Sequence, residues 1–281
     1  MTTYETKPQV TAFEAETLPE ELGLGLWSSE FMTDEFEAES IRSLMEENGN
    51  PEEKFGVYII DGKDPRSSLG RKVELERFDD EFGNGPDYMK KLYGEFEDFG
   101  LTQLLVVVDH ENLRAAGVIR LVRNTAEHGC RILNDLQLVG ENGWGLSTLD
   151  EVKNRADFAA ETPEEILDIP TIAVSKDYGS KLTAVSDALC AGVFQTSLKD
   201  GITKTWVCSL ARIPYIIIQE KTGNAFYEFA GVPSAPYHGD TDTTPLWCNL
   251  DELFDMTKSN DPSRYQKYYE GVGLEDYFFA V

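Results

Sequence analysis

The stretch over residues 162–200, TPEEILDIPTIAVSKDYGSKLTAVSDALCAGVFQTSLKD, constrains the fold more than any other part of the chain. Thr162, Pro163 and Glu165 form a capping-box pattern with proline at the first helical position, which predicts a short helix. Residues 169–174 are an apolar run too short for a helix and read as a buried strand. A turn from Lys176 to Lys181 follows. Leu182, Val185, Leu189, Val193 and Thr196 then recur at steps of three and four, marking one face of a long helix. Asp200 and Gly201 stop it, because glycine adopts the left-handed backbone at a helix end without penalty. A strand that feeds a helix through a glycine turn leaves unpaired backbone N–H groups at the helix start, where an anionic phosphate can sit.

The flanking sequence must supply a sheet for this unit. Apolar runs at 55–60, 103–108, 117–122, 205–210 and 246–250 predict strands, and 131–136 and 225–230 are read as two more. The polar link DHENLRAA between the second and third runs predicts a hairpin. Helices are expected from Thr33 to Gly49, over 67–82, after Asn84-Gly85-Pro86, from Ser147 to about Phe158, and over 212–222 before Gly223. Leu75, Phe78 and Phe82 share one helix face, and Met89, Leu92, Tyr93 and Phe96 another; both sets read as core. One strand–helix–strand unit demands two parallel strands with a right-handed crossover, whereas the hairpin demands antiparallel pairing. The expected fold is α/β (α+β): a central mixed, mostly antiparallel sheet flanked by helices. Residues 1–30 are read as an arm, 31–256 as one domain, and 257–281 as an aromatic, acidic tail, helical through RYQKYYEG.

Charge and composition remove several functions. The 281 residues carry a formal net charge of −26, which opposes nucleic-acid binding, because phosphate neutralisation needs clustered Lys and Arg. It also disfavours anionic membranes and acidic carrier proteins. No apolar run spans a bilayer and no secretory leader is visible, so a cytoplasmic location without membrane insertion is expected. Cys130, Cys190, Cys208 and Cys248 form no CxxC pair; Cys190 and Cys208 read as buried thiols, and neither a metal site nor a disulfide is expected. His110, His128 and His238 lie in expected loops without metal spacing and read as surface residues. Neither a G-x-S-x-G elbow nor a P-loop lysine motif is present.

Taken in order along the chain, VELERFDDEF, YGEFEDF before QLLVVVD, AAGVIRLVR and LDIPTIAVSKDYGS resemble the GNAT superfamily of acyl-CoA N-acyltransferases, and within it the N-acyl-homoserine lactone synthase-like branch. The resemblance runs from about Arg71 to Leu250 and implies an acyltransferase with acyl-CoA as co-substrate and a small amine as acceptor. It implies acceptor binding by Arg77, Glu97 and Arg120, with Asp98 beside Glu97, and a catalytic base at Asp168. Thr171 stands where the branch carries an arginine. The donor would be cradled by Ile172, Ala173 and Val174 of the strand and by Lys176, Tyr178, Gly179, Ser180 and Lys181 of the turn. Of the superfamily's pyrophosphate-loop pattern, Gly179 is kept. The superfamily tyrosine four residues before the helix-ending glycine is replaced by Gln219, and Tyr215, one turn earlier, is the candidate acid.

N-acylation needs an amine stripped of its proton, a polarised thioester carbonyl and a protonated leaving thiolate. A carboxylate raised by burial supplies the first, and a bulge near Ala173 and Val174 would supply the second. The alternatives are a GNAT-like binding module that has lost its chemistry and a self-associating protein using the aromatic tail; a homodimer is compatible with any of these.

Overall fold

The computed structural model describes residues 26–83, 85–137, 144–145 and 156–281. Most of the expected arm, the turn cluster before Trp144 and most of the helix expected from Ser147 lie outside them. Helix α1 (Asp34–Glu47) opens on Thr33, whose hydroxyl accepts from Phe36 N at 3.2 Å, with Asp34, Glu35 and Glu37 at the positive end of the helix. Strand β1 (Phe55–Asp61) leads to α2 (Ser68–Phe82), which Gly83 ends at φ 67°, and α3 (Pro86–Asp98) starts on its proline. Strands β2 (Thr102–Asp109) and β3 (Arg114–Arg123) form the expected hairpin. Helix α4 (Arg131–Asp135), β4 (Ile166–Val174), a 3-10 turn over Lys176–Lys181, α5 (Leu182–Asp200) and β5 (Thr205–Ala211) follow. The chain closes with α6 (Arg212–Thr222), β6 (Tyr227–Glu228), β7 (Ala235–Tyr237), β8 (Asp240–Asn249), α7 (Leu250–Asn260), α8 (Pro262–Glu270) and β9 (Tyr277–Ala280).

These strands make one nine-stranded sheet in the order β6-β8-β5-β4-β3-β2-β1-β9, with β7 also on β8. The pairs β4–β5 and β1–β9 are parallel and the rest antiparallel. Helix α5 lies on one face, where Val185, Leu189 and Val193 pack into a core with Leu105, Val107, Leu167 and Trp206. Burying each such side chain contributes about 2 kcal/mol. The helix sits so close that a Cβ on Gly117 of β3 would stand 2.7 Å from Val185 Cγ1. Helices α1 and α2 cover the opposite face through Ile41, Leu44, Leu69 and Val73, packed on Leu104, Val106 and Val118. Among the described residues no helix is long and apolar enough to cross a membrane.

Several local expectations change. Residues 131–135 are helix rather than strand: Arg131 turns inward and its guanidinium meets Asp135 one turn later at 2.9 Å. The short helix expected at Thr162 is one 3-10 turn, and β4 begins at Ile166 rather than Ile169. The strand expected over 225–230 shortens to Tyr227–Glu228, while β8 extends back to Asp240 and pairs with the whole of β5. Residues 277–280 form a strand beside β1 that periodicity did not reveal. Leu182 is 50% exposed at the first residue of α5. His110 is buried, its Nδ1 against Glu53 O at 2.8 Å and its Nε2 against Tyr58 OH at 2.9 Å. All four cysteines are free and buried, as expected for Cys190 and Cys208.

Candidate functional site

The parallel pair β4–β5 is short. Ile166, Leu167 and Asp168 pair with Thr205, Trp206 and Val207, and there the register ends. Among the described residues, β4 from Ile169 to Val174 has no partner on that side, while β5 runs on to Ala211 paired with β8 alone. The two strands therefore diverge beyond Asp168, and one edge of β4 is open. Ser175 N donates to Ala116 O at 2.9 Å. By the alternation of an antiparallel ladder, Ala173 and Thr171 then also face β3, so Ile172 and Val174 turn their N–H and C=O groups to the open edge. The register shift on β4 falls between the partners of Arg120 and Val122, at Ile169 and Pro170 rather than at the expected Ala173 and Val174. The extra residue resets the parity of the strand, so Asp168 and Thr171 project to the same side.

That side carries two buried polar constellations. In the first, Arg120 is fully buried between Glu74 and Glu97: its Nε and Nη2 reach Glu74 at 3.0 and 2.6 Å, and its Nη1 bonds Glu97 Oε1. Arg71, also fully buried, reaches Glu97 Oε1 through Nη2 at 3.1 Å and Gly62 O at 2.7 Å. Trp27 Nε1 donates to Glu97 Oε2 at 3.1 Å, and Thr171 Oγ1 donates to Glu74. Burial works against the charge on Glu97, but Arg120 and Arg71 hold it below its ordinary value. Burial likewise lowers Arg71, although a guanidinium stays protonated at any physiological pH. Asp98, next to Glu97, ends α3, and Arg77 is half-buried on α2.

The second constellation surrounds Asp168. Its Oδ2 accepts from Arg131 Nε at 3.0 Å and Ile132 N at 3.3 Å, while its Oδ1 is buried with no hydrogen-bond partner. Arg131 Nη1 also reaches Asp135 at 2.9 Å and Tyr237 OH at 2.8 Å, and Tyr237 OH donates to Asp135. Burial pushes Asp168 up to about 6; Arg131 opposes this and the neighbouring Asp135 reinforces it. Tyr93 of α3 separates the two constellations, with the Arg120 guanidinium 4.3 Å and that of Arg131 5.7 Å from its ring centre.

At the far end of the open edge, the turn Lys176–Lys181 leads into α5. Gly179 faces open space, since a Cβ there would meet nothing within 4 Å. Tyr178 turns inward instead: it is 7% exposed and its hydroxyl donates to Asp109 Oδ2 at 3.0 Å. Lys176 N donates to Glu76 Oε1 of α2 at 2.9 Å, and Lys176 Nζ pairs with Asp80 of the same helix. On α6, which follows β5, the Tyr215 hydroxyl donates to Glu228 Oε1 at 3.1 Å and accepts from Gln219 at 3.4 Å, and Ile216 and Ile217 are 49% and 41% exposed. The fold thus brings Glu97 and Arg120 together and lines up Ile172 and Val174 with the turn. Sequence reasoning did not find Arg71, Glu74, Arg131 or Tyr237. The available signal for Arg71 and Glu74 was a pair of charges interrupting the inward stripe of Leu69, Gly70 and Val73.

No protein-family model and no curated protein matches the sequence. Among solved structures, the chain is similar to FeeM, an N-acyl amino acid synthase from uncultured soil microbes, at 10% identity and TM-score 0.50 over 73% of this chain and 95% of that one. It is also similar to spermidine N-acetyltransferase from Vibrio cholerae in complex with CoA and spermine, at 10% identity and TM-score 0.42 over 71% and 98% of the two chains. A putative acetyltransferase of the GNAT family from Desulfovibrio desulfuricans aligns at 15% identity and TM-score 0.42 over 69% and 99%. With a mixed sheet that parts between two parallel strands, and with its overlay on the acyl amino acid synthase, the chain has the fold of the GNAT superfamily.

Proposed function

We propose that this chain is an acyltransferase that moves an acyl group from a CoA-type thioester to an amine. The observation that carries the reading is the open edge of β4 between Asp168 and the turn at Lys176. A thioester laid along it would meet backbone N–H groups of Ile172 and Val174. These donors would hold the amide of a pantetheine arm and polarise the thioester carbonyl, and they are preorganised because β3 fixes the strand from the other side. The turn and the start of α5 suit the donor's phosphates.

The acceptor arrives as an ammonium and must lose a proton before it attacks. Asp168, raised to about 6 and with one oxygen unpartnered, is the base in this scheme, because a carboxylate near neutrality is both ionised and basic enough to act. Attack forms a C–N bond and a tetrahedral oxyanion; its collapse breaks the C–S bond and releases a thiolate. Tyr215 is the candidate donor of a proton to that sulfur, after leaving Glu228. The region of Arg77, Glu97 and Arg120 would shape the acceptor side.

A second reading, a binding module without chemistry, is favoured by the carboxylate of Glu76 already lying on the N–H of Lys176. Thermal shift with CoA and with acetyl- to long-chain acyl-CoAs tests the cleft, because a ligand that binds only the folded state raises Tm. Absence of a shift with every thioester defeats the acyltransferase reading. Binding without thiol release across a panel of amines supports the binding module.

A further inference from the structure

Helix α2 touches both halves of the proposed site. Its inner side carries Glu74, bonded to Arg120 and Thr171. Half a turn later Glu76 takes the N–H of Lys176 at 2.9 Å, and a turn beyond that Asp80 takes the ammonium of the same lysine. The turn is anchored on its inner side as well, by the Tyr178 hydroxyl on Asp109 at 3.0 Å and by the edge of Tyr178 against Phe55, with ring centres 6.3 Å apart. The anchor is fixed in the core, whereas both carboxylates of α2 lie at the surface, where such contacts exchange readily with water and solutes. Both donor groups of Lys176, its backbone N–H and its ammonium, thus carry an anion from the protein itself at the place where a donor's phosphates would need them.

Resting on the acyl-thioester reading of this cleft, we propose that Glu76 and Asp80 form an anionic clasp on the donor turn, and that a diphosphate-bearing donor binds by displacing it. Charge decides the direction. Glu76 and Asp80 give two negative charges against the one positive charge of Lys176, so an incoming diphosphate is repelled until the clasp opens. Once it opens, Lys176 gains a partner of higher charge and the turn offers its freed N–H. The clasp therefore sets donor affinity and specificity for the phosphate end of the donor without touching the reacting thioester.

The test measures binding of CoA and of pantetheine, which lacks the diphosphate, to the native chain and to Glu76→Ala, Asp80→Asn and the double variant, by calorimetry at low and moderate salt. All three carry exposed or half-exposed substitutions on a helix held by its other face, and circular dichroism checks their fold. The double variant is expected to bind CoA about tenfold more tightly than the native chain, with pantetheine unchanged. Equal or weaker CoA binding by the double variant overturns the clasp. A parallel change in CoA and pantetheine also overturns it, because it marks a general loosening of the cleft. If neither the native chain nor any variant binds CoA, the acyl-thioester reading itself falls.

Discussion

The two buried constellations on one side of the sheet are built from the same chemistry and behave in opposite ways. Around Glu97, two guanidiniums meet two carboxylates, and an indole N–H adds a further donor. Around Asp168, one guanidinium is shared between two aspartates. Both carboxylates are desolvated to nearly the same extent, Glu97 at 1% and Asp168 at 0% exposure, so burial alone cannot separate them. Charge count does: Glu97 falls below its ordinary value, and Asp168 rises to about 6. A balanced cluster is a structural brace, and a cluster one cation short holds a group that titrates near neutrality. The bare Oδ1 of Asp168 marks the same shortage in hydrogen bonds.

The widest test of this contrast is to remove the cation from the balanced side. Arg120→Met leaves Glu74 and Glu97 buried with too few partners, and a loss of about 3–5 kcal/mol in urea unfolding is expected. Arg120→Lys should restore little, because an ammonium cannot make the forked contact with Glu74 while also reaching Glu97. A loss below about 1 kcal/mol for Arg120→Met would mean that the cluster relaxes or hydrates, and the brace reading would fail. Asp168→Asn is expected to lower kcat/KM by about a hundredfold if Asp168 is the base. Unchanged turnover would remove that role.

The pH dependence should separate the two carboxylates by sign. An unfolded aspartate titrates near 3.9, whereas folded Asp168 holds its proton up to about 6. Its stabilising contribution is therefore complete below about pH 4 and is lost as pH rises through about 6. Glu97, lowered on folding, contributes above its unfolded value and loses that contribution as pH falls. Urea unfolding of the native chain and Asp168→Asn between pH 4 and 7 reads the difference directly. The native advantage should shrink as pH rises to about 6 and then level off; a flat difference would place Asp168 at an ordinary pKa.

How much of this was legible in the sequence depends on the range of the interaction. The strand over 169–174, the turn and the helix to Asp200 were readable because periodicity and turn residues are local signals; Val185, Leu189 and Val193 turn inward as expected, whereas Leu182 is exposed and the strand starts three residues earlier, at Ile166. Glu97 and Arg120 were placed together by order along the chain, and the structure joins them. Arg131 was misread because RILNDL is a short stretch of mixed apolar and polar residues with ambiguous period, and its helix is held by a contact with Asp168 across 37 positions. The inward turn of Tyr178 depends on Asp109, 69 residues away, and β9 is a four-residue strand whose partner lies at the other end of the chain. Where a residue's fate is set by a distant partner, its neighbours in sequence carry little record of it.

The finest test asks whether charge count or hydrogen bonding holds Asp168 near 6. Asp135→Asn removes the like charge that raises Asp168 while keeping a polar side chain beside Arg131, so the inflection in kcat/KM should move below 6. Tyr237→Phe removes a hydrogen-bonding partner of Arg131 and no charge. Arg131 keeps Asp135 and Asp168 in that variant, so stability should fall by only about 1 kcal/mol, and the inflection should stay near 6. If Tyr237→Phe moves the inflection as far as Asp135→Asn does, the hydrogen bonds that orient Arg131 govern the ionisation of Asp168. The contrast with Glu97 would then be one of geometry rather than of counted charges.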